Sequence, residues 1–193
     1  MVQSTGTKKI KCAVFISGTG SNLKSLIQFT KKKNSPILIE LIITDNPKAK
    51  GLKFGKIFKI SNKVLNYKNK IIAEKKIISE IKNKKIKLIC LAGFMKILSK
   101  DFIKSFKGKI LNIHPSLLPK YKGLKTHRRA ISNGEKYSGC TVHFVNSRLD
   151  SGKIIIQKKV RISKSDTAKS LSKKILIQEH KLYPKAIKKV ISL

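Results

Sequence analysis

Four short apolar runs constrain the fold of this chain more strongly than any other feature. They are residues 10–17, 37–44, 88–91 and 110–113. Because charges are rare in these runs, each is typical of a β-strand that helices cover on both faces. The segments between them carry helical periodicity, and alternating strands and helices build an open sheet. We therefore predict an α/β fold of three layers, whose mostly parallel, Rossmann-like sheet has an antiparallel C-terminal edge.

The segments between the strands indicate where helices begin and end. Helices are predicted near residues 49–58, 67–83 and 101–106. Thr126 can cap a further short helix, and Ser165 or Asp166 can cap the last one. Pro184 is expected to kink or stop that last helix. A chain of 193 residues without a linker or an internal repeat is predicted to be a single domain.

A glycine-rich turn, residues 18–22, joins the first strand to the first helix. No Gly-Lys-Ser/Thr follows, which excludes a P-loop, and Leu23 stands where a dinucleotide fingerprint has its third glycine. Backbone N–H groups and the dipole at a helix N-terminus bind anions. The turn could therefore hold a single phosphate, assisted by the side chains of Ser21 and Asn22. An ordinary tight turn is the alternative.

Asn112 and His114 lie two residues apart near the end of a predicted strand, where Pro115 helps to terminate it. Residues at this spacing point to the same face. An amide beside an imidazole is suited to polarising a carbonyl and moving a proton. A hydrogen-bonded turn that only holds the loop is the alternative. Ligands of open α/β sheets bind beyond the carboxyl ends of the strands, so this pair and the glycine turn should face one crevice.

The charge of the chain is extreme, because 45 Lys and Arg against nine Asp and Glu give +36. Nucleic acid, an anionic membrane or polyanionic small substrates would each suit such a charge. The lysines are nevertheless spread along the whole chain, as A+T-rich codons would produce. Aromatic residues make up only 6%, without Trp, which makes nucleic acid an unexpected partner.

Other features bear on location and on metal binding. No run approaches the roughly 18 apolar residues of a membrane span, and the N-terminus lacks the apolar stretch of a signal peptide. Cys12, Cys90 and Cys140 lack the spacing of a metal site and do not indicate a disulfide framework. The sequence therefore predicts a soluble, cytoplasmic protein, without a membrane partner and without a metal.

Three groups of residues together resemble a known family. They are ISGTGSNL near the start, LAGFMKILS in the middle, and NIHPSLLPKYKGLKTHRRAI with GCTVHFV and LDSG after it. In this order they resemble the phosphoribosylglycinamide formyltransferases of purine synthesis, over about residues 10–190. The resemblance implies the formyltransferase fold, with residues 8–107 as the phosphate-binding half and 108–193 as the catalytic and folate-binding half.

The resemblance also implies roles for individual residues. The phosphate of glycinamide ribonucleotide is bound by Gly20, Ser21 and Asn22, and Glu179 contacts the same nucleotide. The co-substrate, 10-formyltetrahydrofolate, is bound by a set that borders its pterin ring or its carboxylates: Lys70, Met95, Lys96, Ile97, Leu98 and Asn112. The catalytic residues are Asn112, His114 and Asp150.

The residue types fit this chemistry. The substrate amine attacks the formyl carbon directly, so neither an enzyme nucleophile nor a metal is required. Asn112 can donate to the developing oxyanion, and His114 can act as an acid toward the folate nitrogen or help to stabilise the oxyanion. A carboxylate near an imidazole favours the imidazolium, so Asp150 is expected to raise the pKa of His114. His143, within the strand at residues 140–145, is predicted to be packed rather than catalytic.

Some residues depart from the pattern of the family, and other functions remain open. Lys70 stands where an arginine is usual. A lysine keeps the positive charge but lacks the planar guanidinium group that binds a carboxylate through two hydrogen bonds. Lys125 stands where histidine is common. A formyltransferase acting on aminoacyl-tRNA is one alternative, and a basic nucleic-acid-binding protein on a decayed enzyme fold is another. A related deformylase would carry an N-terminal regulatory domain, for which there is no room before Ile10, so this activity is not expected. The expected assembly is a monomer or a homodimer.

Overall fold

A seven-stranded sheet runs through residues 9–192, the part of the chain that the computed structural model describes. Its strands are β1 Ile10–Ile16, β2 Ile37–Thr44, β3 Ser61–Val64, β4 Leu88–Leu91, β5 Lys109–His114, β6 Tyr137–Phe144 and β7 Ile154–Arg161. The helices of the same part are α1 Ser21–Thr30, α2 Leu52–Phe58, α3 Lys70–Asn83, α4 Lys100–Ser105, α5 Thr126–Ser132 and α6 Ala168–Ile191.

The strand order confirms the predicted fold class. The strands are arranged β3-β2-β1-β4-β5-β6-β7. The pairs from β3 through β5 are parallel, whereas β6 pairs antiparallel with both β5 and β7. The chain returns to the middle of the sheet after β3, and β4 pairs with the other side of β1. The carboxyl ends of β1, β4 and β5 therefore meet along one edge.

Two apolar layers cover the sheet, one on each face. Val14 belongs to the cluster that contains the apolar sides of α1 and α6, and its neighbour Phe15 belongs to the cluster with α3 and α4. This alternation follows from the two-residue period of a strand. Both side chains are fully buried. Because both faces of the sheet are covered, its central strands need apolar residues on both sides. These strands therefore occur in the sequence as nearly continuous apolar runs.

Two of the predicted helix caps were wrong by one or two residues. Thr126 is the first residue of α5, and Lys125, in the left-handed conformation with φ 56°, occupies the cap position. Thr167 caps α6, and its hydroxyl accepts from the N–H of Ser170, whose own hydroxyl accepts from the N–H of Thr167. Asp166 instead accepts from the N–H of Ser163 and from the Ser170 hydroxyl. This reciprocal capping box fixes where the helix begins.

Pro184 does not stop the last helix, which was one of the two effects predicted for it. α6 continues from Ala168 to Ile191 with Pro184 inside it. The residues beyond the proline keep an apolar face, since Ala186, Ile187 and Val190 are buried against the sheet. The burial of this face offsets the hydrogen bond that a proline removes, about 3 kcal/mol in a helix interior.

Within residues 9–192, no helix combines the length and the apolar character that a membrane span requires. The sheet contains strands from both predicted halves, residues 8–107 and 108–193. The division into these halves and the single-domain organisation stay predictions.

Candidate active site

A cavity of about 790 Å³ opens at the carboxyl ends of the parallel strands. Asn112 and His114, at the end of β5, line it together with Asp150 from the loop after β6. Asn22 from α1 and Glu179 from α6 line the same cavity. The structure therefore brings together residues that are up to 157 positions apart.

The three proposed catalytic side chains are in direct contact. Oδ2 of Asp150 lies 3.3 Å from Nδ1 of His114, and Oδ1 of Asp150 lies 3.4 Å from Nδ2 of Asn112. The loop that carries Asp150 folds back because its carboxylate also accepts from the N–H of Gly123, at 2.8 Å. The other ring nitrogen of His114, Nε2, lies 2.9 Å from the carbonyl oxygen of Tyr121. Both ring nitrogens of His114 thus face an oxygen acceptor, and a neutral ring can donate to only one of the two.

The protonation of His114 differs from the prediction. Burial lowers the pKa of His114 below its ordinary value, and His143 and Arg129 act in the same direction. The Tyr121 carbonyl and the Asp150 carboxylate raise the pKa of His114, but they do not overcome the loss of water around the ring. Asp150 raises the pKa of His114 as expected, but burial outweighs it, so the net shift is downward and favours the neutral ring.

Asp150 remains ionised beside this neutral ring. Burial on its own raises the pKa of Asp150, but the contact with the His143 ring, the hydrogen bond from the Gly123 N–H and the nearby His114 imidazole lower it below its ordinary value. A carboxylate that accepts several hydrogen bonds is stabilised in its charged form. The Asp150 carboxylate therefore stays ionised at neutral pH.

His143 has a contact that the sequence did not reveal. Its Nε2 lies 3.2 Å from Nδ2 of Asn112, and its Nδ1 lies 2.7 Å from the carbonyl oxygen of Phe144. An amide nitrogen can only donate, so Nε2 accepts and Nδ1 carries the proton. His143 is packed, with 2% of its surface exposed, and it also orients Asn112. The register that places Asn112 opposite His143 joins residues 31 positions apart, and no local pattern reports it.

Of the glycine turn, residues 18–22, Asn22 lines the cavity. Gly20 has φ 72° and precedes α1, and a Cβ on it would lie 2.7 Å from the Cα of Gly51. Such a close approach of two backbones requires glycine. Asn22, in the first turn of α1, donates to Oε2 of Glu179 at 2.7 Å. Burial raises the pKa of Glu179, and the hydrogen bond from Asn22 opposes that shift. Gly20 and Ser21, which precede and begin α1, do not line the cavity.

An apolar loop after β4 forms the opposite wall. Met95, Lys96, Ile97 and Leu98 all line the cavity. The loop is fixed at both ends, because the N–H of Met95 donates to the Ser17 hydroxyl and both the N–H and the hydroxyl of Ser99 donate to Glu74. Met95 and Ile97 are nevertheless 62% and 57% exposed, so their apolar surface faces the opening.

Lys70 is not brought to this cavity. It is the exposed first residue of α3 and does not belong to the cavity lining, unlike the other residues proposed for the folate. Among residues 9–192, no group of three or more His, Cys, Asp and Glu side chains is arranged to hold a metal ion. Two Lys residues, Lys96 and Lys125, and Arg148 line the cavity and give it positive charge at its rim.

Comparison with known proteins agrees with this geometry. The formyl transferase family model matches residues 10–187. The chain belongs to the formyl transferase family. The fold and the resemblance predicted from the sequence are thereby confirmed. Phosphoribosylglycinamide formyltransferase from Bacillus subtilis is similar to this formyl transferase, with 37% identity over 186 residues, 95% of each chain.

Solved structures and longer proteins show the same similarity. Phosphoribosylglycinamide formyltransferase from Brucella melitensis matches this formyl transferase with a TM-score of 0.90 and 40% identity, over 95% of this chain and 96% of that one. The human trifunctional purine biosynthetic protein adenosine-3 is 42% identical over 188 residues, 96% of this chain. This formyl transferase spans only 19% of the length of that trifunctional relative.

Proposed function

We propose that this formyl transferase moves the formyl group of 10-formyltetrahydrofolate to the amino group of glycinamide ribonucleotide, a step of purine synthesis. The observation that carries the proposal is the meeting of Asn112, His114 and Asp150 in one cavity that Asn22 and an apolar loop also line. The names of the similar enzymes from Bacillus subtilis and Brucella melitensis support the same acceptor.

The reaction exchanges one C–N bond for another and moves one proton. The amine attacks the formyl carbon, and the carbonyl oxygen becomes an oxyanion. One N–H of Asn112 is held by His143, while the other makes only a 3.4 Å contact with Asp150 and is the one available to donate to the oxyanion. Such a contact strengthens as the charge develops. Collapse of the intermediate then breaks the bond to the folate nitrogen.

The proton passes from the attacking amine to the folate nitrogen that leaves. In its neutral form His114 can accept this proton on the ring nitrogen that carries no hydrogen, and burial, which lowers its pKa, favours that form. The imidazolium that forms is stabilised by the Asp150 carboxylate 3.3 Å away and then protonates the leaving nitrogen. His114 thus acts as a base and afterwards as an acid, and no group outside the two substrates is consumed.

The two ends of the cavity suit the two substrates. Gly20, Ser21 and Asn22 at the start of α1 would bind the phosphate through backbone N–H groups and the helix dipole, and Glu179 would contact the same nucleotide. The wall formed by Met95, Lys96, Ile97 and Leu98 would hold the flat pterin ring, next to Asn112. The role of Lys70 in folate binding stays a prediction, as do the cytoplasmic location and the monomeric or homodimeric state.

Steady-state assays with both substrates test the proposal. We expect the wild type to formylate glycinamide ribonucleotide, and His114→Ala and Asn112→Ala to lose roughly 10² to 10⁴ in kcat/KM. Asn83→Ala is the matched control, because Asn83 is exposed at the far end of α3 and should leave activity unchanged. Formylation of aminoacyl-tRNA but not of glycinamide ribonucleotide, or tight RNA binding without any formyl transfer, would contradict the proposal.

A further inference from the structure

The proline inside α6 leaves one helix carbonyl without its usual donor. In an α-helix the N–H of residue 184 would donate to the carbonyl oxygen of residue 180, and a proline has no N–H. The hydroxyl of Ser25, on α1, donates to this carbonyl oxygen of His180 at 3.0 Å. Ser25 therefore satisfies the backbone group that Pro184 leaves free, and it does so from a different helix.

This contact is next to the one that shapes the nucleotide end of the cavity. Asn22 and Ser25 are three residues apart and share one side of α1, and their partners Glu179 and His180 are consecutive on α6. Asn22 and Glu179 line the cavity, whereas Ser25 and His180 do not. The two hydrogen bonds together join the first turn of α1 to α6.

The sheet holds α6 independently of α1. The hydroxyl of Tyr183, the residue before the proline, lies 3.0 Å from the carbonyl oxygen of Leu91 and 3.1 Å from that of Leu111. Both carbonyls belong to strands that lead directly to the cavity, and Tyr183 is 1% exposed. Because α6 is fixed to β4 and β5 in this way, the Ser25 contact adds a directional hydrogen bond to the apolar packing of α1 against α6.

We propose that Ser25 is a positioning residue for the nucleotide site. By binding the carbonyl that Pro184 leaves free, it fixes the spacing between α1 and α6, and with it the spacing between Asn22 and Glu179. The nature of the ligand rests on the proposed function, whereas the coupling between Ser25 and Pro184 rests on the contacts themselves. Ser25 touches neither substrate and acts only through the two helices.

Ser25→Ala should weaken the binding of glycinamide ribonucleotide and leave the chemistry intact. We expect KM and Kd for this nucleotide to rise roughly three- to tenfold, the usual effect of one hydrogen bond. The value of kcat and the KM for the folate should stay close to those of the wild type. Ser25→Thr retains a hydroxyl and should restore most of the affinity. Ser172→Ala, on α6 away from the cavity lining, is the matched control and should change nothing.

A double-mutant cycle separates positioning from general stability. Pro184→Ala returns an N–H to α6, which can donate to the His180 carbonyl in place of Ser25. In this background Ser25→Ala should have little effect on nucleotide affinity, measured by calorimetry. Equal effects in both backgrounds, or an equal rise of KM for both substrates, would overturn the positioning role. Unchanged nucleotide affinity in Ser25→Ala overturns the inference alone, whereas a wild type that does not bind the nucleotide overturns the proposed function as well.

Discussion

His114 and Asp150 face each other across 3.3 Å, from Nδ1 to Oδ2, and each is only 7% exposed at its side chain. The carboxylate stabilises an imidazolium, but the same burial that brings the pair together disfavours any charge on the ring. The outcome is a neutral imidazole next to an ionised carboxylate. This state can take a proton from an amine and hold the resulting charge.

Replacing the carboxylate should lower the pKa of His114 further. Asp150→Asn keeps the size of the side chain and removes the charge that raises this pKa. An NMR titration of the imidazole signals should show the shift directly. The acidic limb of kcat/KM should move to lower pH, since His114 then stays neutral to lower pH, and the plateau should fall by about 10².

Asp101→Asn is the control for this substitution. Asp101 is an exposed aspartate in the first turn of α4 and does not line the cavity. Its replacement should leave both the His114 titration and the pH–rate profile as in the wild type. A His114 pKa that rises or stays constant in Asp150→Asn would show that the two groups are not coupled.

His143 should affect catalysis through Asn112. His143→Leu removes the acceptor that orients the Asn112 amide, so we expect kcat to fall by roughly tenfold to a hundredfold, less than the loss of an oxyanion donor itself. His143→Gln retains an acceptor oxygen and should lose less. Steady-state kinetics, with thermal unfolding as a check on the fold, measure both. Equal losses in the two variants would indicate that packing, and not the hydrogen bond, is what His143 supplies.

The positive charge of the chain should raise the rate at which the substrates associate with it and should not change the rate of the chemical step. Both proposed substrates are anions, and a positive field raises the association rate of anions in a salt-dependent way. We expect kcat/KM to fall on the order of tenfold between low and high ionic strength, while kcat changes little. Stopped-flow association rates provide an independent measurement. A parallel decline of kcat and kcat/KM would argue against electrostatic steering.

Asp166 should contribute stability that depends on pH. A hydrogen bond from Lys174, with others from Ser170 and the Ser163 N–H, lowers the pKa of Asp166 to about 2. Because the pKa in the folded chain lies below the unfolded value of about 3.9, the stabilisation is complete above that value and is lost as the pH falls through about 2.

Denaturant unfolding of the wild type and of Asp166→Asn tests this dependence. The variant should be less stable at pH 7, and the difference in free energy of unfolding should shrink between about pH 4 and pH 2. Lys174→Met, which removes the first cause of the shift, should weaken the same pH dependence. A difference that stays constant over this range would exclude the titration of Asp166 as its origin.

The sequence predicted well wherever a local pattern carries the information. Residues 37–44 and 88–91 are strands with the predicted bounds, because a strand buried on both faces needs an uninterrupted apolar run. The prediction was less accurate where contacts with neighbouring elements determine the local structure. Pro184 breaks helices in isolation, but here the buried residues after it hold the helix together and Ser25 binds the free carbonyl.

The candidate site likewise contains residues that a local pattern places and residues that only tertiary contacts place. The two-residue period of a strand placed Asn112 and His114 on one side of β5, and both line the cavity. Asp150 reaches them because the N–H of Gly123 binds its carboxylate and because Asp150 adopts φ 45°. That contact joins two loops that are 27 residues apart, and no periodic pattern describes it.

The sequence by itself determined the apolar strands, the order of the loops that carry reactive residues, and the identity of the reacting side chains. These features depend on residue type and on short spacings. Only the tertiary structure decided the register that sets His143 against Asn112, the hydrogen bonds that join α1 to α6, and the pKa of His114. Charges can be counted along a chain, but the removal of water from a side chain depends on every element packed around it. For His114 this burial outweighs the nearby carboxylate, so its protonation is a property of the fold and not of the motif.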